Sequence, residues 1–476
     1  MSKNSIKEKI KFGTDGWRAV IADTFTFENL KIVSQATADF LKSSQAKSKN
    51  KKLNIAVGYD TRFMSENFAE IVACVFAANG INVILSDRLT PTPTISFAVK
   101  TRKLDLGIMI TASHNPPEFN GFKIKSHTGG SADISVTKKV EKLLCKNKPR
   151  FMPLSQALEK KLITKENIIS DYIKFLRSYL DLDRLKNSRF KVLLDCMYGS
   201  GNGYMREVIA GTAIDLEIMR SERNTYFEGK GPEPVKQNLS KIIGRMKNEN
   251  FDLGLVLDGD ADRIAAVASG GEFIHPQKIL GLLALHLKED RLLSGGIVKT
   301  VAGTTMIDHI AKYLGLKLHE TPVGFKYISH LMEKEDILVG GEEAGGMGFK
   351  NYVPERDGTL AGLLLLEMMV YRNKNIKDIV SEMEDRFGRY HYLREDLKLK
   401  PGRKMKDVKT IRPKTLLDSK VVKITDIDGI KLFCEDESWL MLRPSGTEPL
   451  MRIYAEAKSH EKATNLLNLG KTLVLK

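Results

Sequence analysis

At 476 residues the chain is longer than one hydrophobic core serves, and a prior of about 150 residues per domain points to three or four. An apolar share of 42% and a charged share of 28% are ordinary for a globular protein and exclude a fibrous or low-complexity chain. A net charge of +16 raises nucleic acid as a partner, but the basic runs at 42–52 and 398–423 have almost no aromatics between them for base stacking, so they read as solvated surface and no nucleic acid is expected.

The N-terminal MSKNSIKEKIKFG is basic but has no apolar stretch of the kind a secretory signal uses, which makes a cytoplasmic location the expectation. LNIAVGYD (53–60) has strand character, and ENFAEIVACVFAANG (66–80) has helical spacing and a glycine stop. LDLGIMI (104–110) reads as a buried strand leading into TASHNPPEFNGFKI (111–124). There Pro116 and Pro117 withhold backbone donors and push Asn115 out of the helical region, so an ordered loop is expected, with Ser113 and His114 at a strand exit. No G-x-S-x-G elbow accompanies them, and a hydrolase triad has no support.

The strand-then-polar-loop arrangement recurs. FKVLLDCMYGSG (190–201) precedes FDLGLVLDGDADR (251–263), and GGIVKTVAGT (295–304) precedes EDILVGGEEAGG (335–346). Three α/β units of about 110 residues with largely parallel sheets follow from strands alternating with helices. The glycines of GSGNG (199–203) resemble a dinucleotide turn, but Tyr204 occupies the third glycine position. In LDGDADR the carboxylates of Asp258, Asp260 and Asp262 alternate, so an extended chain would place all three on one face; all-oxygen ligation suits magnesium, manganese or calcium rather than zinc. An EF-hand is excluded, because Arg263 stands at the loop's sixth position and Ser269 at its twelfth.

GGEEAGGMGF (340–349) sets Glu342 and Glu343 in a glycine frame suited to close approach of a sugar ring. LAGLLLLEMMV (360–370) is too short to span a bilayer and reads as a core helix, so no membrane is expected. The segments 145–155, 269–277 and 386–396 read as linkers. Beyond them, VVKITDIDGIKLFC (421–434) and WLMLRP (439–444) are strand signals with a DG turn, a smaller α+β domain. RPSGTEPLMRIY (443–454) combines Arg443, Ser445, Gly446, Thr447 and Arg452 in a plausible phosphate cradle without a P-loop. Cys74, Cys145, Cys196 and Cys434 lie too far apart for a disulfide framework or zinc ribbon.

Taken in order, KFGTDGWR, TASHNPPEFNGFKI, DGDADR, GGEEAGG and RPSGTEPLMRIY make the chain resemble the α-D-phosphohexomutase family, phosphoglucomutases and phosphomannomutases, over nearly its whole length. The resemblance implies three similar α/β domains with mixed, largely parallel sheets plus a smaller C-terminal α+β domain around a central cleft. The boundaries expected are 1–158, 159–274, 275–387 and 388–476. It further implies that Ser113 carries a phosphoryl group and binds Mg2+ together with Asp258, Asp260 and Asp262. Lys123 would be the acid/base, with Arg18 and Lys299 near the reacting centre and His114 and Arg263 steadying its charge. Glu342 would bind sugar hydroxyls, while Arg443, Ser445, Gly446, Thr447 and Arg452 hold the phosphate that is not reacting. Ala344 stands where the family usually has serine, removing one hydroxyl contact. The implied reaction interconverts glucose 1-phosphate and glucose 6-phosphate through glucose 1,6-bisphosphate, in a monomer or homodimer, with mannose as the second sugar. A metal-dependent sugar phosphatase and a nucleic-acid-binding protein are the rival readings.

Overall fold

The structure, a computed structural model, describes residues 8–44, 52–398, 407–445 and 450–475. It contains four sheets, one per expected unit. In the first, strands Leu106–Ile110, Asn54–Tyr59, Asn82–Ser86 and Ile163–Glu166 run parallel, and Phe119–Lys125 and Trp17–Val20 continue the sheet antiparallel. The second has Asp215–Met219, Lys191–Asp195 and Leu253–Leu257 parallel, then Ile264–Ala268 and Glu272–Ile274 antiparallel. In the third, Leu318–Thr321, Gly296–Thr300 and Ile337–Gly341 are parallel and Met347–Phe349 is antiparallel.

The recurring sequence pattern therefore has a topological cause. In each α/β sheet the last parallel strand, Leu106–Ile110, Leu253–Leu257 or Ile337–Gly341, turns straight back into an antiparallel neighbour. All fifteen positions of those three strands are buried, as strands covered on both faces must be, so each run is apolar or glycine. The reversal leaves its loop at the strand's C-terminal end, and these loops are 111–118, 258–263 and 342–346.

Helix Gly358–Arg372 is buried from Gly358 to Met369 and packs on the second sheet, in one hydrophobic core with Leu255, Leu257 and Ile264 of that sheet and Leu338 and Val339 of the third. The first sheet has its own core, and so does the fourth, an antiparallel six-stranded sheet running from His391–Lys398 to Thr415–Leu416, backed by helix His460–Leu475. Two expected linkers are instead ordered. Segment 269–277 contains edge strand Glu272–Ile274 and opens helix Pro276–Leu285, and 386–396 enters edge strand His391–Lys398. Edge strands carry few apolar residues, which is why they read as connections. All four cysteines are free, and no described helix is long and apolar enough to cross a membrane.

Candidate active site

The Ser113 loop is fastened through its backbone. Ser113 has φ 52°, in the left-handed region that a residue with a side chain enters only when its surroundings compel it. The buried guanidinium of Arg62 supplies the compulsion by donating to four carbonyls of the loop. Its Nη2 reaches Ser113 O at 2.7 Å and Asn115 O at 2.6 Å, and its Nη1 reaches Pro116 O at 2.8 Å and Phe119 O at 3.0 Å. Asp60, 3.3 Å from Arg62 Nε, balances the charge, and Thr111 Oγ1 accepts the Ser113 N–H at 2.8 Å. The result holds Ser113 Oγ 2.7 Å from Asp258 Oδ2, to which it donates, and 3.3 Å from His114 Nδ1.

Asp258, Asp260 and Asp262 are completely buried, and one ligand oxygen from each lies within 4.8 Å of the others. They converge through a turn rather than the extended chain expected from their spacing. Ala261 has φ 58°, and its N–H donates to Asp258 O at 3.1 Å. Gly259 lets this turn touch the serine loop, since a Cβ there would lie 2.3 Å from Ser113 O. GSGNG backs the same turn, with Ser200 N–H donating to Gly259 O at 2.9 Å, so its glycines serve close packing.

The residues fit a hard divalent cation. Asp260 Oδ1 and Asp262 Oδ1 are buried with no hydrogen-bond partner in the protein. Burial, then the neighbouring Asp262 and Asp260, push Asp258 well above the usual carboxylate range, and a cation would relieve both effects.

Lys123 lies on strand Phe119–Lys125, not in the loop where its sequence neighbours suggested it would be. Its Nζ is 2.7 Å from Asp260, 3.1 Å from Asp262 and 2.7 Å from Asp15. Burial disfavours its charge, but the carboxylates of Asp15, Asp260 and Asp262 outweigh burial and hold the ammonium above its ordinary range. Arg18 donates to Asn115 Oδ1 at 2.7 Å, and the Arg263 N–H donates to Asp258 Oδ1 at 3.0 Å. Burial, and then Arg263, Arg18, Lys123 and Arg62, hold His114 well below its usual value. Its Nδ1, 3.3 Å from Ser113 Oγ, is placed to share a hydrogen bond with the serine.

Loop 342–346 meets the strand that leaves the aspartate turn, with Ile264 N–H donating to Gly345 O at 3.1 Å. Glu342 faces Arg356, whose Nη1 donates to Glu342 Oε2 at 3.2 Å while Nη2 donates to Asp262 at 2.7 Å and Asp15 at 2.5 Å. Arg356 thus ties three loops together. Burial raises Glu342 despite the opposing pull of Arg356 and Arg263. Glu343 accepts from Thr300 Oγ1 at 2.8 Å.

Arg62, Arg356, Asp15 and Thr92, whose Oγ1 donates to Asp260 Oδ2 at 2.5 Å, were missed in the sequence. Three of the expected residues, Lys299, Arg443 and Arg452, have other partners. Lys299 is engaged by Asp308, by Thr304 O at 3.2 Å and by Glu320 at 3.9 Å. Arg443 pairs with Asp428 at 2.6 Å, and Arg452 lies 3.7 Å from Asp396. Gly446 and Thr447 lie outside the described residues, as do parts of the two basic runs, 45–51 and 399–406.

Residues 9–150, 170–271 and 275–387 match alpha/beta/alpha domains I, II and III of phosphoglucomutase/phosphomannomutase, and 393–468 match its C-terminal domain. A phosphoglucomutase/phosphomannomutase of Thermococcus kodakarensis is 30% identical over 460 residues, 96% of this chain and 97% of the relative. A phosphoglucosamine/phosphogalactosamine mutase of Sulfurisphaera tokodaii is 30% identical over 465 residues, 97% and 98% of the two chains. A solved structure from Thermus thermophilus, assigned to the phosphomannomutases, superposes with a TM-score of 0.85 at 32% identity, covering 98% of this chain and 99% of that one. The chain belongs to the α-D-phosphohexomutase family, whose members are intramolecular phosphotransferases.

Proposed function

We propose, with membership of that family as premise, that this enzyme interconverts glucose 1-phosphate and glucose 6-phosphate through a phosphorylated Ser113 and glucose 1,6-bisphosphate. One observation carries the reading: a strained serine, Ser113, whose Oγ lies 2.7 Å from a buried cluster of three aspartates that Lys123, Arg263 and Arg356 surround with positive charge. That arrangement suits phosphoryl transfer, where charge spreads over oxygens and positioning supplies most of the catalysis.

In the first transfer the bond from phosphorus to Ser113 Oγ breaks as one to a sugar hydroxyl forms. Lys123, held as an ammonium, is the candidate to give a proton to the departing Ser113 Oγ and to take up the one the sugar hydroxyl releases, so protons balance and no hydrolysis occurs. After the bisphosphate turns over, the same steps run in reverse with its other phosphate. The family is magnesium-dependent, and an ion held by Asp258, Asp260, Asp262 and the Ser113 oxygen would supply charge neutralisation at the phosphoryl oxygens. Glu342 is assigned to sugar hydroxyls. Arg443, Ser445, Gly446, Thr447 and Arg452 are assigned to the phosphate that is not reacting, and Lys299 to the surroundings of the reacting centre. Glu343 favours glucose over mannose by resemblance to glucose-handling relatives, with a mannose or dual mutase as the second reading.

A coupled assay on glucose 1-phosphate and mannose 1-phosphate, with magnesium and a trace of bisphosphate, tests this. Glucose 6-phosphate should appear in wild type and vanish in Ser113→Ala, whose intact mass should lack any phosphorylated species. Steady release of inorganic phosphate without isomerised sugar would identify a phosphatase instead.

A further inference from the structure

Glu342 turns toward Arg356, but the next two residues of the same loop, Glu343 and Ala344, line a cavity of about 640 Å³. Its wall also draws on Gln277 of helix Pro276–Leu285, Tyr392 of edge strand His391–Lys398 and Glu456 of strand Leu450–Ala457. Each has a buried polar atom with no hydrogen-bond partner in the protein: Gln277 Nε2, Tyr392 Oη and Glu456 Oε2. Gln277 is 4% exposed and Glu456 0%. Their other atoms are fixed by internal bonds. Gln277 Oε1 accepts from the Thr304 N–H, and Glu456 Oε1 accepts from Trp439 Nε1 and the Thr305 N–H, both at 2.8 Å. Buried polar atoms are almost always paired, so three that are unpaired around one cavity mark a place built for a ligand.

The chemistry of the free atoms defines that ligand. The Gln277 amide N–H requires an acceptor and the Glu456 carboxylate oxygen a donor, while the Tyr392 phenol is served by either. A sugar hydroxyl is both, whereas an ammonium only donates and leaves the Gln277 amide unmatched. We propose that Gln277, Tyr392 and Glu456 form a wall that reads the hexose and selects hydroxyl-bearing hexose phosphates over amino-hexose phosphates, supplying hydrogen bonds that the methyl side chain of Ala344 cannot make. The inference rests on the mutase reading and names its substrate class.

The test compares kcat/KM for glucose 1-phosphate and glucosamine 1-phosphate in wild type, Gln277→Glu and Tyr392→Phe, with thermal unfolding of each. Wild type should favour glucose 1-phosphate at least about tenfold. Gln277→Glu keeps the acceptor for Thr304 but replaces the free donor by a carboxylate oxygen, and should move that ratio at least about tenfold toward the amino sugar. Tyr392→Phe removes a hydroxyl that makes no internal bond, so it should fold, and should raise KM for glucose 1-phosphate about threefold or more with kcat little changed. If Gln277→Glu does not fold, Tyr392→Phe decides. A wild type that prefers glucosamine 1-phosphate, or folded variants with unchanged ratio and KM, overturns the wall alone. A wild type that isomerises no hexose phosphate overturns the mutase reading beneath it.

Discussion

Replacing Gly259 by alanine isolates the contact between the aspartate turn and the serine loop. Gly259 is not among the residues of positive φ, so alanine can adopt its backbone without strain. The added Cβ, however, would lie 2.3 Å from Ser113 O and 2.8 Å from Pro232 Cγ, where real Cβ atoms keep at least 3.0 Å. The loops must therefore part by roughly 0.7 Å or more, which takes Ser113 Oγ away from Asp258. A misplacement of about 1 Å at a reacting centre costs about 100-fold in rate, or about 2.7 kcal/mol of barrier. In a coupled mutase assay, Gly259→Ala should lose about 30- to 100-fold in kcat with little change in KM, and overpacking should cost about 1–3 kcal/mol of stability. Gly244→Ala is the control. It sits in helix Ser240–Asn248 with nothing within 4 Å of the new Cβ, and should gain about 0.5–1 kcal/mol with turnover unchanged. If Gly259→Ala turned over within threefold of wild type, the contact would not be what positions the serine.

Arg62→Met leaves Asp60 as a buried, unpaired carboxylate, and should lower stability by about 3–5 kcal/mol in urea unfolding. Magnesium should raise the melting temperature, since ligand at 100 times Kd stabilises by about 2.7 kcal/mol, and Asp260→Asn or chelation should abolish the rise. Burial, then Lys278, lowers His275 from 6.5 to about 4. The unfolded state therefore binds the extra proton between those values, so the contribution is fully present above pH 6.5 and is lost as pH falls to 4, about 3 kcal/mol in all. His275 Nδ1 accepts from the Gln277 N–H at 3.3 Å; His275→Asn keeps a capping acceptor and should flatten the stability profile between pH 4 and 6.5.

What the sequence discloses follows from the range over which each feature is encoded. A strand buried on both faces and the loop that ends it are contiguous, so Leu106–Ile110 with Ser113 and Leu253–Leu257 with Asp258 were legible from a dozen residues each. The groups that hold those loops come from far along the chain. Arg62 acts on carbonyls 51 to 57 residues away, Thr92 on an aspartate 168 away, and Arg356 on Asp15 across 341 positions. No local periodicity marks them. The aspartate spacing pointed to a shared face and the three carboxylates do converge, yet the cause is a left-handed Ala261 that no propensity would select. Lys123 shows the physical reason such assignments need the fold. Its role depends on charge it does not carry itself: three carboxylates contributed by Asp15, Asp260 and Asp262 hold it as an ammonium inside the protein. Any cation entering the aspartate cluster must compete with that ammonium for Asp260 and Asp262, so metal binding and the placement of Lys123 are one coupled equilibrium, not two independent properties of the site.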